Sequence, residues 1–69
     1  MSQPARKTSM VKIELHIMHL LAAQPMTPKE LALALPYEYN QIKYTVQNLR
    51  ESDCIYRLPH SHKMALVEL

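Results

Sequence analysis

A chain of 69 residues with 48% hydrophobic content has room for one small domain, none for a second, and is too apolar to stay disordered. Its formal charge of only +2 excludes the strongly basic balance that by itself argues for nucleic acid. A DNA-binding chain of this charge neutralises few phosphates per subunit or combines several subunits.

Composition also limits how the chain can fold. With no Phe or Trp, four Tyr and five Met, the core must be aliphatic, with methionine as soft filler. Glycine is absent, where average usage of about 7% predicts roughly five. Turns must therefore be made by Pro, Asn, Asp, Ser and His. The single cysteine, Cys54, excludes an intrachain disulfide framework and suits a reducing compartment. No apolar run reaches the ~18 residues of a membrane span and no secretory signal is visible, so a cytoplasmic protein is expected.

Residues 1–9 (MSQPARKTS) read as a flexible N-terminal arm ahead of a single domain over 10–69. The first helix is expected from Met10 to Ala23, capped by Ser9. Its apolar residues fall in two groups. Ile13, Ile17 and Leu20, flanked by Met10 and Leu21, form one stripe; Val11, Leu15, Met18 and Ala22 form a second on nearly the opposite side. So small a domain rarely buries both, so the second stripe is a candidate dimer or partner interface, unless the C-terminal strands cover it. His16 and His19 have a spacing that could ligate metal, but no further ligand is near, and solvated histidines are the simpler reading.

Pro25 breaks the helix. Thr27-Pro28-Lys29-Glu30 follows, with threonine as N-cap, proline at the first helical position and glutamate at the third, the pattern of a capping box. It opens a short second helix over Pro28 to Leu35, with Leu31, Leu35 and the alanines inward, ended by Pro36.

A third helix is read over Glu38 to about Ser52. Glu38 is a poor N-cap, so Tyr39 or Asn40 can be its first residue. Ile42, Val46 and Leu49 make its inner stripe, while Asn40, Lys43, Tyr44 and Gln47 lie opposite. That outer set can hydrogen-bond base edges, touch phosphates and stack, although any helix has a solvated face. Asp53 tolerates the left-handed conformation that follows a helix. Cys54 is read as a small buried hydrophobe, since nothing nearby would activate its thiol. Ile55–Leu58 and Met64–Leu69 favour strands around the turn Pro59–Lys63, a hairpin that must pack on the helices. His60 and His62 on its tip lack convergent metal ligands and read as a polar tip.

The fold class is therefore mainly α with a small β-hairpin, in the order α1-α2-α3-β-β. The run MTPKELALALPYEYNQIKYTVQNLRESDCIYRLP resembles the winged helix-turn-helix domain of small bacterial or phage transcription regulators. It is similar to their pattern of a Thr-capped "TxxELA" helix before "xxVxxxLxxLxxxGLIxR", with Ile42, Val46, Leu49, Ile55 and Arg57 at matching positions. Asp53 stands at the usual glycine and Cys54 at a frequent leucine. The "YxxxxY" run from Tyr39 to Tyr44 is similar to that of pilus phase-variation regulators of the PapI type. The resemblance implies a sequence-specific regulator binding double-stranded DNA, alone or with a larger regulatory protein partner. It would use Asn40, Gln41, Lys43, Tyr44 and Gln47 in the major groove, Arg57, His60, His62 and Lys63 of the hairpin on the backbone, and Lys29 on a phosphate.

The alternative is a protein–protein interaction module working through the Val11–Leu15–Met18 stripe or the tyrosines, for which the modest charge and Glu51 on the outer face speak. An enzyme lacks support in the inventory: there is no glycine for a phosphate loop, no paired carboxylates and no nucleophile with its base. No metal, cofactor, small-molecule substrate or membrane association is expected.

Overall fold

The computed structural model describes residues 8–67. Three helices precede an antiparallel hairpin, the expected α1-α2-α3-β-β order: α1 Thr8–Ala23, α2 Pro28–Ala34, α3 Tyr39–Glu51, β1 Ile55–Arg57 and β2 Met64–Leu66. The expectation of an arm over residues 1–9 needs one correction. Because α1 starts at Thr8, Ser9 lies inside the helix and does not cap it; the rest of the expected arm lies outside the described residues.

The core is aliphatic, as a chain without Phe or Trp requires. Ile13, Ile17 and Leu21 of α1, Leu31 of α2, Ile42, Val46 and Leu49 of α3, Ile55 of β1 and Met64 of β2 are all buried. On α1 the inward stripe is centred on Leu21 more than on Leu20, which is only partly buried. Glu14, three residues before Ile17 and seven before Leu21, shares that side and is also buried. On α3, Thr45 joins the three apolar residues in the interior. Its hydroxyl donates to the carbonyl of Gln41 at 2.7 Å, which offsets the cost of burying a polar group.

The helix ends are built from the residues the sequence marks. At the start of α2 the backbone N–H of Glu30 donates to Thr27 Oγ1 at 3.0 Å, and that of Thr27 donates to Glu30 Oε1 at 2.9 Å. Both halves of the capping box are therefore formed. α2 ends one residue earlier than expected, with Leu35 as its extended C-cap. Ala32 and Leu35 pack on the core as expected, whereas Ala34 is exposed and Leu33 almost fully so.

Glu38 does serve as N-cap residue of α3, and the helix begins at Tyr39. What compensates for a poor capping side chain is Gln41, whose Oε1 accepts from the Glu38 N–H at 3.0 Å. At the other end, Cys54 N–H donates to Leu49 O at 2.9 Å and Asp53 N–H to Arg50 O at 3.0 Å. This is the Schellman arrangement, with Asp53 in the left-handed position at φ 61°. Its geometry turns the chain back so that Ile55 enters the core; Cys54 is half-buried against that core and less enclosed than expected.

In the hairpin, Ile55 pairs with Leu66, Tyr56 with Ala65 and Arg57 with Met64. Against the expected Ile55–Leu58 and Met64–Leu69, β1 ends at Arg57 and β2 at Leu66. One backbone bond lies beyond each end, Leu58 N–H to Lys63 O and Val67 N–H to Cys54 O; residues 68–69 of the expected second strand lie outside the described residues. A pair of bonds the sequence did not announce anchors the sheet's other edge. Met26 N–H donates to Met64 O at 3.1 Å, and Met64 N–H to Met26 O at 2.7 Å. The residue after Pro25 thus acts as a one-residue third strand, so the hairpin is held to the α1–α2 connection as well as to α3.

Candidate nucleic-acid interface

Outward from the core, α3 carries two kinds of surface. Asn40, Tyr44 and Gln47, with Lys43 beside them, are exposed on the side away from Ile42, Val46 and Leu49. Among the described residues nothing folds over this side, and Tyr44 is 58% exposed. Gln41 is also exposed, but its side-chain oxygen is engaged in capping the helix. Gln47 donates through Nε2 to Glu51 Oε2 at 3.4 Å, one helical turn on. The acid on this face is thereby turned toward a polar neighbour.

The second surface was not legible in advance. Where α3 faces the hairpin and the start of α2, two adjoining depressions share Pro28, Tyr39, Arg50 and Met64. One extends along α3 past Lys43, Val46, Gln47 and Glu51. The other extends toward Lys29 on α2 and toward Arg57 and His62 on the hairpin. Together they form a groove floored by Pro28, Val46 and Met64 and edged by cations. Helix periodicity explains its α3 wall. Tyr39, Lys43, Val46 and Arg50 are separated by four, three and four residues, so their side chains stack along one line.

The expected backbone contacts therefore divide. Lys29, Arg57 and His62 line this groove together with Lys43 and Gln47, whereas His60 and Lys63 are exposed in the hairpin turn outside it. That turn is internally braced. Arg57 Nη1 donates to Ser61 O at 3.1 Å, Lys63 N–H donates to Ser61 Oγ at 3.0 Å, and Leu58 N–H donates to Lys63 O at 2.9 Å. His60 sits at φ 59°, taking the left-handed position that glycine would otherwise fill.

Sequence reasoning missed Arg50, and it treated Tyr39 as a candidate helix start, the head of a tyrosine pair and a candidate protein contact, without placing it in a groove. The available signal for Arg50 was its spacing of seven from Lys43. It was masked by a simpler role, a cation in the last turn of a helix opposing the helix dipole.

A comparison with protein-family models, curated proteins and solved structures finds no significant match to this chain. The chemistry of the surface must carry the functional argument.

The candidate dimer or partner stripe on α1 is partly as expected. Val11, Leu15 and Ala22 are exposed, and the hairpin does not cover them. Met18 is different: it is half-buried and packs on the core. Ala22 also borders a groove between the end of α1 and the outer face of the hairpin, where Tyr56, Leu58, Ala65 and Val67 lie. His16 is drawn into a structural contact. Its Nδ1 shares a 2.8 Å hydrogen bond with the Tyr37 hydroxyl, and the two rings lie 5.7 Å apart. This ties α1 to the turn that leads into α3. Among the described residues no group of three or more His, Cys, Asp or Glu is arranged to hold a metal ion, and no helix is long and apolar enough to cross a membrane.

Proposed function

We propose that this protein is a sequence-specific, double-stranded DNA-binding transcription regulator of winged helix-turn-helix type, working in the cytoplasm. The exposed side of α3 enters the major groove, where Asn40, Lys43, Tyr44 and Gln47 reach base edges and phosphates. Gln41, at the entry of the helix, is close enough to the same side to join them through its amide nitrogen. The hairpin, with Arg57, His60, His62 and Lys63, and Lys29 of α2 lie along the sugar-phosphate backbone.

The observation that carries this reading is how unevenly the charge is distributed. The lysines and arginines of the described residues are Lys12, Lys29, Lys43, Arg50, Arg57 and Lys63. Four of them line the groove between α3 and the hairpin, and Lys63 is in the hairpin's turn. Only Lys12 is on α1. A net charge of +2 thus conceals a cationic face next to a helix whose outer side is amide- and tyrosine-rich. Phosphate binding needs that local concentration, more than a high total charge.

Titrating the protein into a mixed-sequence duplex at two salt concentrations tests this. The proposal expects affinity to fall steeply with salt, because each neutralised phosphate releases counterions. Affinity independent of salt, or no binding at low salt, would contradict it.

The second reading, a protein–protein module, is favoured by one observation: Val11, Leu15 and Ala22 are exposed on α1, and Ala22 borders the depression lined by Tyr56, Leu58, Ala65 and Val67 of the hairpin. Its α1 residues line neither depression of the cationic groove, so a homodimer or a larger regulatory partner could sit there while DNA is bound.

A further inference from the structure

The groove between α3 and the hairpin is more than a row of surface cations, and it contains two residues that the reading by resemblance does not use. Arg50 and Tyr39 line both of its depressions. We propose that this groove is a phosphate-binding subsite in which Arg50 and Tyr39 act with Lys29 and Arg57 to hold successive phosphates of one nucleic-acid strand as it leaves the α3 side for the hairpin side. The proposal rests on the DNA-binding reading above and names where the backbone sits within it.

Three observations support the assignment. First, the cations come from three separate elements, α2, α3 and β1, and converge on one concavity. Like charges facing one concavity repel, and an anion seated between them would relieve that repulsion.

Second, Arg57 is held in place. Its Nη1 donates to Ser61 O, while β2, which pairs with β1, is hydrogen-bonded to Met26 through Met64. A guanidinium has five N–H donors, so this one bond orients the group and leaves the others for phosphate oxygens. Third, the floor is apolar, made by Pro28, Val46 and Met64. Such a floor lowers the local dielectric and strengthens a charge-assisted hydrogen bond made above it. The acid on the rim, Glu51, has its Oε2 on Gln47. Tyr39, 41% exposed, offers a ring edge and a hydroxyl at the same rim.

The test uses the full chain and two probes. A mixed-sequence duplex reads the DNA-binding function, and inorganic pyrophosphate reads the groove alone, followed through backbone amide and arginine Nε signals by NMR. Arg50→Gln should weaken duplex binding by a similar factor for every sequence and reduce the slope of log affinity against log salt by about one unit. Lys12→Gln, which removes the same charge from α1 outside the groove, should leave that slope unchanged. Arg50→Lys should restore it, which separates lost charge from a lost fold. Tyr39→Phe tests whether the hydroxyl contributes. Pyrophosphate should shift the Arg50 and Arg57 side-chain signals and the Tyr39 amide.

Duplex binding with Arg50→Gln and Lys12→Gln indistinguishable, and no pyrophosphate shift in the groove, would overturn the subsite while leaving the DNA reading standing. Pyrophosphate shifts in the groove without duplex binding at low salt would overturn both the strand-backbone assignment and the DNA reading. The groove's ligand would then be a free phosphorylated compound.

Discussion

At the scale of single residues, the absence of glycine has a measurable consequence. Among the described residues two non-glycine positions hold left-handed backbone, Asp53 at φ 61° and His60 at φ 59°, which for most L-residues costs about 1–2 kcal/mol. Asp53→Gly should therefore raise stability by about 1 kcal/mol, read as a higher urea midpoint with an unchanged slope. No gain would mean that the aspartate side chain already compensates for its backbone.

On the face of α3 proposed to read DNA, Asn40 and Gln47 carry amides that can pair bidentately with adenine, and Gln47 lies nearer the cationic groove. Gln47→Ala should alter sequence preference in a binding-site selection. An unchanged preference would remove Gln47 from the reading set. The sequence disclosed this face through periodicity alone. It could not disclose that Gln41 caps α3, because Glu38 is a weak capping residue and the compensation comes from a side chain three positions on. Thr45 shares the inward spacing of Ile42, Val46 and Leu49, but its hydroxyl hid it among the polar residues until the bond to the Gln41 carbonyl is seen.

At the scale of elements, α2 shows how local chemistry makes a short helix dependable. Seven residues are too few to be helical alone, and the structure supplies a reciprocal cap at Thr27 and Glu30 and burial of Leu31. Thr27→Ala should cost about 1 kcal/mol, read by thermal or chemical denaturation; a cost near zero would show that packing of Leu31 alone fixes the helix. The hairpin makes a separable prediction. Lys63 is exposed in the braced turn, so Lys63→Ala should weaken binding to all DNA sequences about equally and leave preference intact. A change of preference would mean that the hairpin reads bases.

All five elements were legible from caps, periodicity and proline positions, and their order was correct. The single-residue bridge at Met26 was not, because one residue carries no alternation to read. It is nonetheless what joins the α1–α2 connection to β2.

At the scale of the whole molecule, composition was the weaker guide. A charge of +2 is a weak signal for or against nucleic acid, and it does not show that Lys29, Lys43, Arg50 and Arg57 line one groove. That convergence joins residues far apart in the chain, so no linear pattern contains it. The apolar remainder on α1, Val11, Leu15 and Ala22, lies on a different element from the groove. The two surfaces can thus serve different partners.

The measurement that tests the central claim most directly is retention of genomic DNA fragments by the purified protein at two salt concentrations, with sequencing of what is retained. DNA reading by α3 predicts enrichment of a defined motif and loss of retention as salt rises; a palindromic motif would support a dimer, for which the α1 stripe is the candidate seam. Retention of no fragments at low salt, or of all fragments without preference, would contradict a sequence-specific reader.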